Sequence, residues 1–317
     1  MLYFTETDVR EMLPMQEAIR LMRQSFEELA SGEAINQPRR RLVLPTRSVL
    51  HYMAAGNAKY YGAKIYATNP AHGAHFLFLL YASADARPLA IFEANYLGQI
   101  RTGAASGLAT QFLARPDADT VGLIGSGYQA RSQLEALLAV RTIREIRVWS
   151  RSAEKRIQFA SECGAAYGVR ILAVDSAEEA VAGAGIVVTA TNSRDPVIAL
   201  GWIAPGTHIN AMGSNQATRR ELPKELIESA GLIAVDSVEQ ARMESGDLLL
   251  ALPPEKWNQL RMIELQDIIA NRARGRTGPG EITIFKSNGL AIEDVTCAGY
   301  LYERGLELGR GAAGPYS

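Results

Sequence analysis

After Thr7-Asp8-Val9-Arg10, the apolar positions Ala18, Leu21, Met22, Phe26 and Leu29 recur at three- and four-residue intervals, the spacing of a helix with one buried stripe. After Gly32 the texture changes. Short apolar runs at 41–50, 61–68, 75–82 and 88–93 are broken by Asn-Pro, His-Gly and Asp-Ala-Arg-Pro, which predicts an antiparallel meander or mixed sheet. A helix of small residues is predicted from Thr102 to Leu113, ended by Arg115-Pro116. From residue 119 strand and helix alternate. Strands are predicted at 120–124, 145–149, 169–174, 185–190, 206–211 and 231–235, with helices from about 129, 152, 176 and 221. Ser176-x-x-Glu179 has the form of a capping box for one of them.

Such alternation predicts an α/β fold: a Rossmann-type doubly wound parallel sheet covered on both faces. The last stretch, GEITIFKSNGLAIEDVTCAGYLYERG, reads as a strand and a helix that pack back on the first domain. The expected organisation is therefore a discontinuous α+β domain, 1–115 with 284–317, and a nucleotide-binding domain, 116–283.

Composition narrows the setting. At 317 residues the chain suits two domains, and its 47% hydrophobic content is ordinary for a soluble protein. A formal net charge of −1 gives no general attraction to nucleic acid or to an anionic membrane, and neither is expected as a partner. The most apolar stretch, HFLFLLYASA, is about half of the roughly 20 residues that span a bilayer, and reads as a buried strand. The N-terminus carries acids where a signal peptide would be basic. Cys163 and Cys297 make no disulfide framework and read as free thiols, so the expected location is the cytoplasm.

The first candidate chemistry lies in VGLIGSGYQA, residues 121–130. A strand enters the glycine loop and a helix leaves it. Gly125 permits a tight turn and Gly127 lets backbone approach a pyrophosphate. Ala130 lets the helix pack closely, and the helix start, with Tyr128 and Gln129, offers N–H donors. The alternative is a glycine turn with no cofactor. Where a ribose-binding acid would end the next strand, the chain has Ser150-Arg151-Ser152, with Lys155 and Arg156 following. One guanidinium and two hydroxyls suit a 2′-phosphate, so NADP(H) is the expected cofactor, with NAD(H) possible. A solvated basic helix start is the competing explanation.

These features sit in a wider set of motifs: RRRLVLP (39–45), YYGAKIYAT (60–68), GQIRTGAASGLATQFLAR (98–115), VWSRSAEKR (148–156), EEAVAGAGIVVTAT (178–191), GTHINAMGSN (206–215), RREL (219–222), ESGDLLL (244–250) and TIFKSNGLAIEDV (283–295). Together they resemble the ornithine cyclodeaminase/mu-crystallin family along most of the chain. The resemblance implies a Rossmann domain, a substrate domain built from both chain ends, and a homodimer. It also implies α-amino or α-imino acid substrates, as in ornithine and lysine cyclodeaminases, some alanine dehydrogenases, ketimine reductases and the NADPH-binding mu-crystallin.

By the same resemblance Arg41 and Arg101 bind the substrate carboxylate, while Thr102 and Thr191 join the cofactor-binding residues. Arg41 stands in a triple-Arg run, where a solvated side chain is the ordinary outcome and Arg40 could instead point inward. Lys64 is a charge in the alternating run Ala63-Lys64-Ile65-Tyr66, and burial beside two arginines would depress its pKa. The resemblance makes it the general acid/base of the imine chemistry; the alternative is an edge-strand lysine reaching solvent. His75 matches a recurrent family histidine, and with His72 it forms no credible metal set. Asn215 occupies the place where cyclodeaminases carry an Asp. An amide can orient a substrate but cannot serve as a carboxylate base. The expected activity is an NAD(P)H-dependent imino-acid reductase giving an L-amino acid. The alternatives are an ornithine or lysine cyclodeaminase, an amino-acid dehydrogenase, and a non-catalytic crystallin-like binding protein.

Overall fold

Leading into the first sheet, Thr5 caps a helix by accepting from Asp8 N while the Asp8 carboxylate accepts from Thr5 N, a reciprocal box that starts the chain's first turn. The computed structural model describes residues 1–314. In chain order the elements are β1 (Leu2–Phe4), α1 (Glu6–Met12), α2 (Met15–Ser31), β2 (Ile35–Asn36), β3 (Arg40–Val43), β4 (Val49–Gly56), β5 (Tyr60–Asn69), β6 (Gly73–Ala82), β7 (Pro88–Glu93) and α3 (Asn95–Leu113). There follow β8 (Thr120–Ile124), α4 (Tyr128–Val140), β9 (Glu145–Trp149), α5 (Ala153–Tyr167), β10 (Ile171–Ala173), α6 (Ala177–Val181), β11 (Ile186–Thr189) and β12 (His208–Ala211). The remainder are α7 (Lys224–Ser229), β13 (Leu232–Val235), α8 (Val238–Glu244), α9 (Gly246–Leu249), β14 (Met262–Glu264), α10 (Leu265–Ile269), β15 (Thr283–Lys286), α11 (Ala291–Leu308) and β16 (Ala312–Ala313).

Two units divide these elements: residues 1–104 with 289–317, and residues 105–288. In the first, a mixed sheet has the order β16-β1-β7-β6-β5-β4-β2, with β3 also paired to β4. The run read as 41–50 is two strands, because the chain turns at Leu44–Ser48 with Arg47 in the left-handed region at φ 65°. The period-2 pattern fixes the faces. Met53 pairs with Lys64 and Lys64 with Phe78, so these three share the face covered by α11, whereas Tyr52, Ile65 and Leu77 share the other. Phe4, Phe26, Phe78 and Phe92 are fully buried and anchor this unit's core, Phe4 and Phe92 stacking with centroids 4.8 Å apart. α3 begins at Asn95, seven residues before the predicted start at Thr102; the Glu6 carboxylate accepts from Asn95 N and Tyr96 N, both at 2.7 Å, and so caps it from a distance.

The second unit carries a parallel sheet of order β10-β9-β8-β11-β12-β15-β13-β14. Its strands read as nearly continuous apolar runs because both faces are covered: Val187, Ile209, Ile233 and Ile284 point to one core and Val121, Leu123, Val148 and Val188 to the other. The expected division at 283/284 needs correction. Thr283–Lys286 lies between β12 and β13, so this strand belongs to the parallel sheet, and the chain returns to the first unit only at Gly289. The other limit falls inside α3 rather than after it. Among the described residues no helix is long and apolar enough to cross a membrane.

Candidate active site

In the first unit the site grows from one buried lysine. Lys64 projects from the covered face of β5 and is 2% exposed. Its Nζ donates to Asp294 Oδ1 at 2.7 Å. Gly98 in α3 allows this: a Cβ there would come within 2.6 Å of Lys64 Nζ. Arg101, one turn further along α3, donates from Nη1 to Glu293 Oε2 at 2.6 Å, and its Nε lies 3.5 Å from Asp294 Oδ1. Glu293 and Asp294 stand in the first turn of α11, where the helix dipole favours carboxylates and offsets part of the penalty of burying them. Burial pushes the Lys64 ammonium down to about 8; Asp294 opposes that shift, and Arg101 and Arg39 add to it.

The triple-Arg run resolves by pleat. Arg40 pairs with Tyr52 and Arg41 with His51, so Arg41 shares the Lys64 face while Arg40 is exposed on the opposite one. Arg41 is half-buried. Arg39, just before β3, is the most buried of the three at 4% exposure, donates from Nη2 to the Gly289 carbonyl at 3.4 Å, and was not singled out from sequence. Lys64, Arg39, Arg41 and Arg101 outnumber Glu293 and Asp294, so the cluster is net positive and suits an anionic ligand. His75 lies on β6 one residue out of phase with Phe76 and Phe78, exposed on the face away from Lys64. His72 is exposed in the turn before β6. Thr102 is half-buried, its hydroxyl donating to the Gly98 carbonyl at 2.7 Å.

The second unit holds the glycine loop at the end of β8, beside β11, where the strand order reverses. Gly125 has φ +113°, and a Cβ there would meet the Ala190 carbonyl oxygen at 2.5 Å. Gly127 is the N-cap of α4 at φ −86°, with no side-chain hydrogen bond to the first turn, and Ala130 is fully buried against the sheet. A helix start without a side-chain cap, reached through a loop with space for a ligand at Gly127, fits a pyrophosphate. Tyr128 is exposed and Gln129 half-buried at that helix start.

At the end of β9, Ser126 Oγ donates to Ser150 Oγ at 2.9 Å, and Ser152 caps α5 by accepting from Lys155 N. Arg151 is exposed between the two serines. Arg156 is committed elsewhere: it donates to the Ser150 carbonyl at 3.1 Å and to Asp175 Oδ1 at 2.8 Å.

A buried cluster that sequence reasoning did not assemble fixes the loops at the same sheet edge. The Glu221 carboxylate accepts from Thr191 N at 2.6 Å and from Gly213 N at 2.7 Å, tying the ends of β11 and β12 together. Asp247 Oδ1 accepts from Glu221 N and Leu222 N, and Lys286 Nζ lies 3.0 Å from Asp247 Oδ2 and donates to the Ser214 carbonyl at 2.6 Å. Burial, reinforced by Asp247, raises the Glu221 carboxyl above its ordinary range. Asn215 is half-buried in the loop that this cluster braces. No group of three or more His, Cys, Asp or Glu suited to a metal ion occurs among the described residues.

The family model described as ornithine cyclodeaminase/mu-crystallin family matches residues 2–308. A Δ1-pyrroline-2-carboxylate reductase of Bacillus cereus is 42% identical over 226 residues, covering 71% of this chain and 69% of the relative. The structure of Thermococcus litoralis Δ1-pyrroline-2-carboxylate reductase in complex with NADH and L-proline is similar with a TM-score of 0.94 and 34% identity, over 99% of this chain and 100% of that one. An archaeal alanine dehydrogenase dimer with bound NAD is similar with a TM-score of 0.94 and 33% identity, over 100% and 99%.

Proposed function

Because the chain belongs to the ornithine cyclodeaminase/mu-crystallin family, we propose that it is an NAD(P)H-dependent reductase of small α-imino acids, of the ketimine or Δ1-pyrroline-2-carboxylate type, giving an L-amino acid. The observation that carries this reading is the buried Lys64 ammonium, lowered to about 8 and flanked by Arg101 and Arg39. Such a group can give and take a proton near neutral pH.

In this reading Arg41 and Arg101 hold the substrate carboxylate and fix the imine relative to Lys64 Nζ. Lys64 hydrogen-bonds the imine nitrogen and gives it a proton. Asp294 keeps the remaining ammonium protons oriented, and burial of the cluster keeps bulk water from competing. Gly125, Gly127, Tyr128, Gln129, Ala130, Thr102 and Thr191 would hold the dinucleotide, whose nicotinamide would supply hydride to the imine carbon. Ser150, Arg151 and Ser152 would favour NADP(H): an exposed arginine between two serines follows β9, and no acid stands there for the ribose hydroxyls. Asn215 orients the substrate through its amide. With no carboxylate at that position, the ammonia-releasing cyclodeaminase reaction lacks its base.

A homodimer completes the reading. Leu42, Leu50, Tyr52 and Leu77 lie on the uncovered face of the mixed sheet and are 54%, 37%, 47% and 45% exposed, a contiguous apolar surface of the kind that marks a protein interface.

The direct test is isotopic. With NADPH deuterated at the nicotinamide C4 and Δ1-pyrroline-2-carboxylate, the proline formed carries deuterium at Cα. Proline without label, or no proline, removes the hydride-transfer assignment.

A further inference from the structure

His51 takes no part in the chemistry described so far. It sits in the middle of β4, with Arg41 as cross-strand partner on one side and Tyr66 on the other. Two residues on, Met53 pairs with Lys64, so the imidazole shares the face of the acid/base group. The residue is 8% exposed, and its orientation is fixed twice. Its ring stacks on Tyr66 with centroids 4.3 Å and planes 3° apart, and Nε2 lies 2.9 Å from Thr68 Oγ1. Nδ1 is buried with no hydrogen-bond partner. A buried polar atom without a partner costs stability, and native structures keep such atoms mainly where a ligand or water meets them.

We propose that His51 is a substrate-contacting residue whose Nδ1–H donates a hydrogen bond to the carboxylate of the imino acid, beside Arg41. This rests on the imino-acid reductase reading above. Burial and the adjacent Arg41 and Arg39 hold the ring neutral, its pKa lowered to about 4, so it carries a single N–H. The Thr68 hydroxyl can serve as donor or acceptor, which leaves that proton free to reside on either nitrogen. Beside two guanidinium groups the ligand is an anion, and an anion selects the tautomer with the proton on Nδ1 while Thr68 donates to Nε2. The same row explains a preference. Arg39, Arg41 and a neutral imidazole place no carboxylate in this row, so a substrate's terminal ammonium gains no ion pair from it.

The test compares wild type, His51→Leu and His51→Asn, the last retaining a donor near the Nδ1 position. Each is assayed with NADPH and Δ1-pyrroline-2-carboxylate, and binding of pyrrole-2-carboxylate to the NADP-loaded protein is followed by calorimetry. For His51→Leu the KM and the pyrrole-2-carboxylate Kd rise together by roughly 10- to 100-fold, the value of one hydrogen bond to a charged group, while kcat changes by less than about threefold. His51→Asn recovers most of both losses. An unchanged KM and Kd in a folded His51→Leu protein would overturn the proposal, as would a fall in kcat alone. Wild-type protein that binds pyrrole-2-carboxylate but reduces no imine would instead overturn the underlying reaction, leaving the calorimetric comparison to judge the contact by itself.

Discussion

Lys64 Nζ and Asp294 Oδ1 are 2.7 Å apart, and their side chains are 3% and 0% exposed. A buried ion pair of this kind is seldom a source of net stability, because desolvation offsets its attraction. Its use here is electrostatic: Asp294 raises the Lys64 pKa that burial lowers, and the balance falls at about 8. In the reductive direction Lys64 must be protonated, so kcat/KM for the imine falls as pH rises through about 8. In the oxidative direction it must be neutral, and the rate rises through the same region. Asp294→Asn removes the opposing carboxylate, so both limbs move to lower pH, and Lys64→Met lowers kcat by roughly 10²–10⁴-fold. pH–rate profiles of the variants check this; an unmoved limb in Asp294→Asn would separate the carboxylate from the titration.

The pleat of β3 separates two neighbouring arginines. Arg41→Ala raises KM for the imino acid by roughly 10- to 100-fold through loss of a charged contact, whereas Arg40→Ala, exposed on the opposite face, leaves it within about threefold. Steady-state kinetics of the two variants decide it.

Gly125 and Gly127 differ in why they are glycine. Gly125→Ala forces a Cβ to 2.5 Å from the Ala190 carbonyl at φ +113° and lowers stability by about 1–3 kcal/mol, read as a drop in Tm. Gly127→Ala meets no protein atom within 4 Å at φ −86°, so Tm is nearly unchanged. Its nucleotide affinity nevertheless falls about tenfold or more, because the methyl group takes the space of the pyrophosphate. Equal nucleotide affinity in Gly127→Ala would mean that the loop does not cradle phosphates.

Arg151→Ala raises KM for NADPH by roughly 10- to 100-fold and leaves KM for NADH within about twofold, since only the former carries the extra phosphate. Parallel titrations with the two nucleotides measure the ratio. A uniform change would assign Arg151 to general electrostatics.

Much of this was legible in the chain. The six strands predicted between 120 and 235 fall within two residues of β8 to β13, because a strand covered on both faces has no alternation to confuse its limits, whereas the short β14 was not predicted. Lys64 stood out as a charge at an inward position of an alternating run. Its partner did not: Asp294 is 230 residues away, and nothing local to either residue records the pairing. Arg39 and His51 were hidden for a different reason. Three consecutive arginines look alike until the pairing of Arg41 with His51 fixes which of them face Lys64. The face of His75 was undetermined by the same property, since one residue of register exchanges the faces of a strand. The apolar run Thr283–Lys286 fits either sheet, and only its neighbours β12 and β13 assign it.

The central claim is that this site reduces imines rather than eliminating ammonia. The most direct measurement follows NADPH and NADH oxidation with Δ1-pyrroline-2-carboxylate, alongside ammonia release from ornithine with NAD. The account predicts rapid oxidation, faster with NADPH at low concentration, and no ammonia. Ammonia release without nucleotide oxidation would contradict it and make Asn215 compatible with the cyclodeaminase reaction.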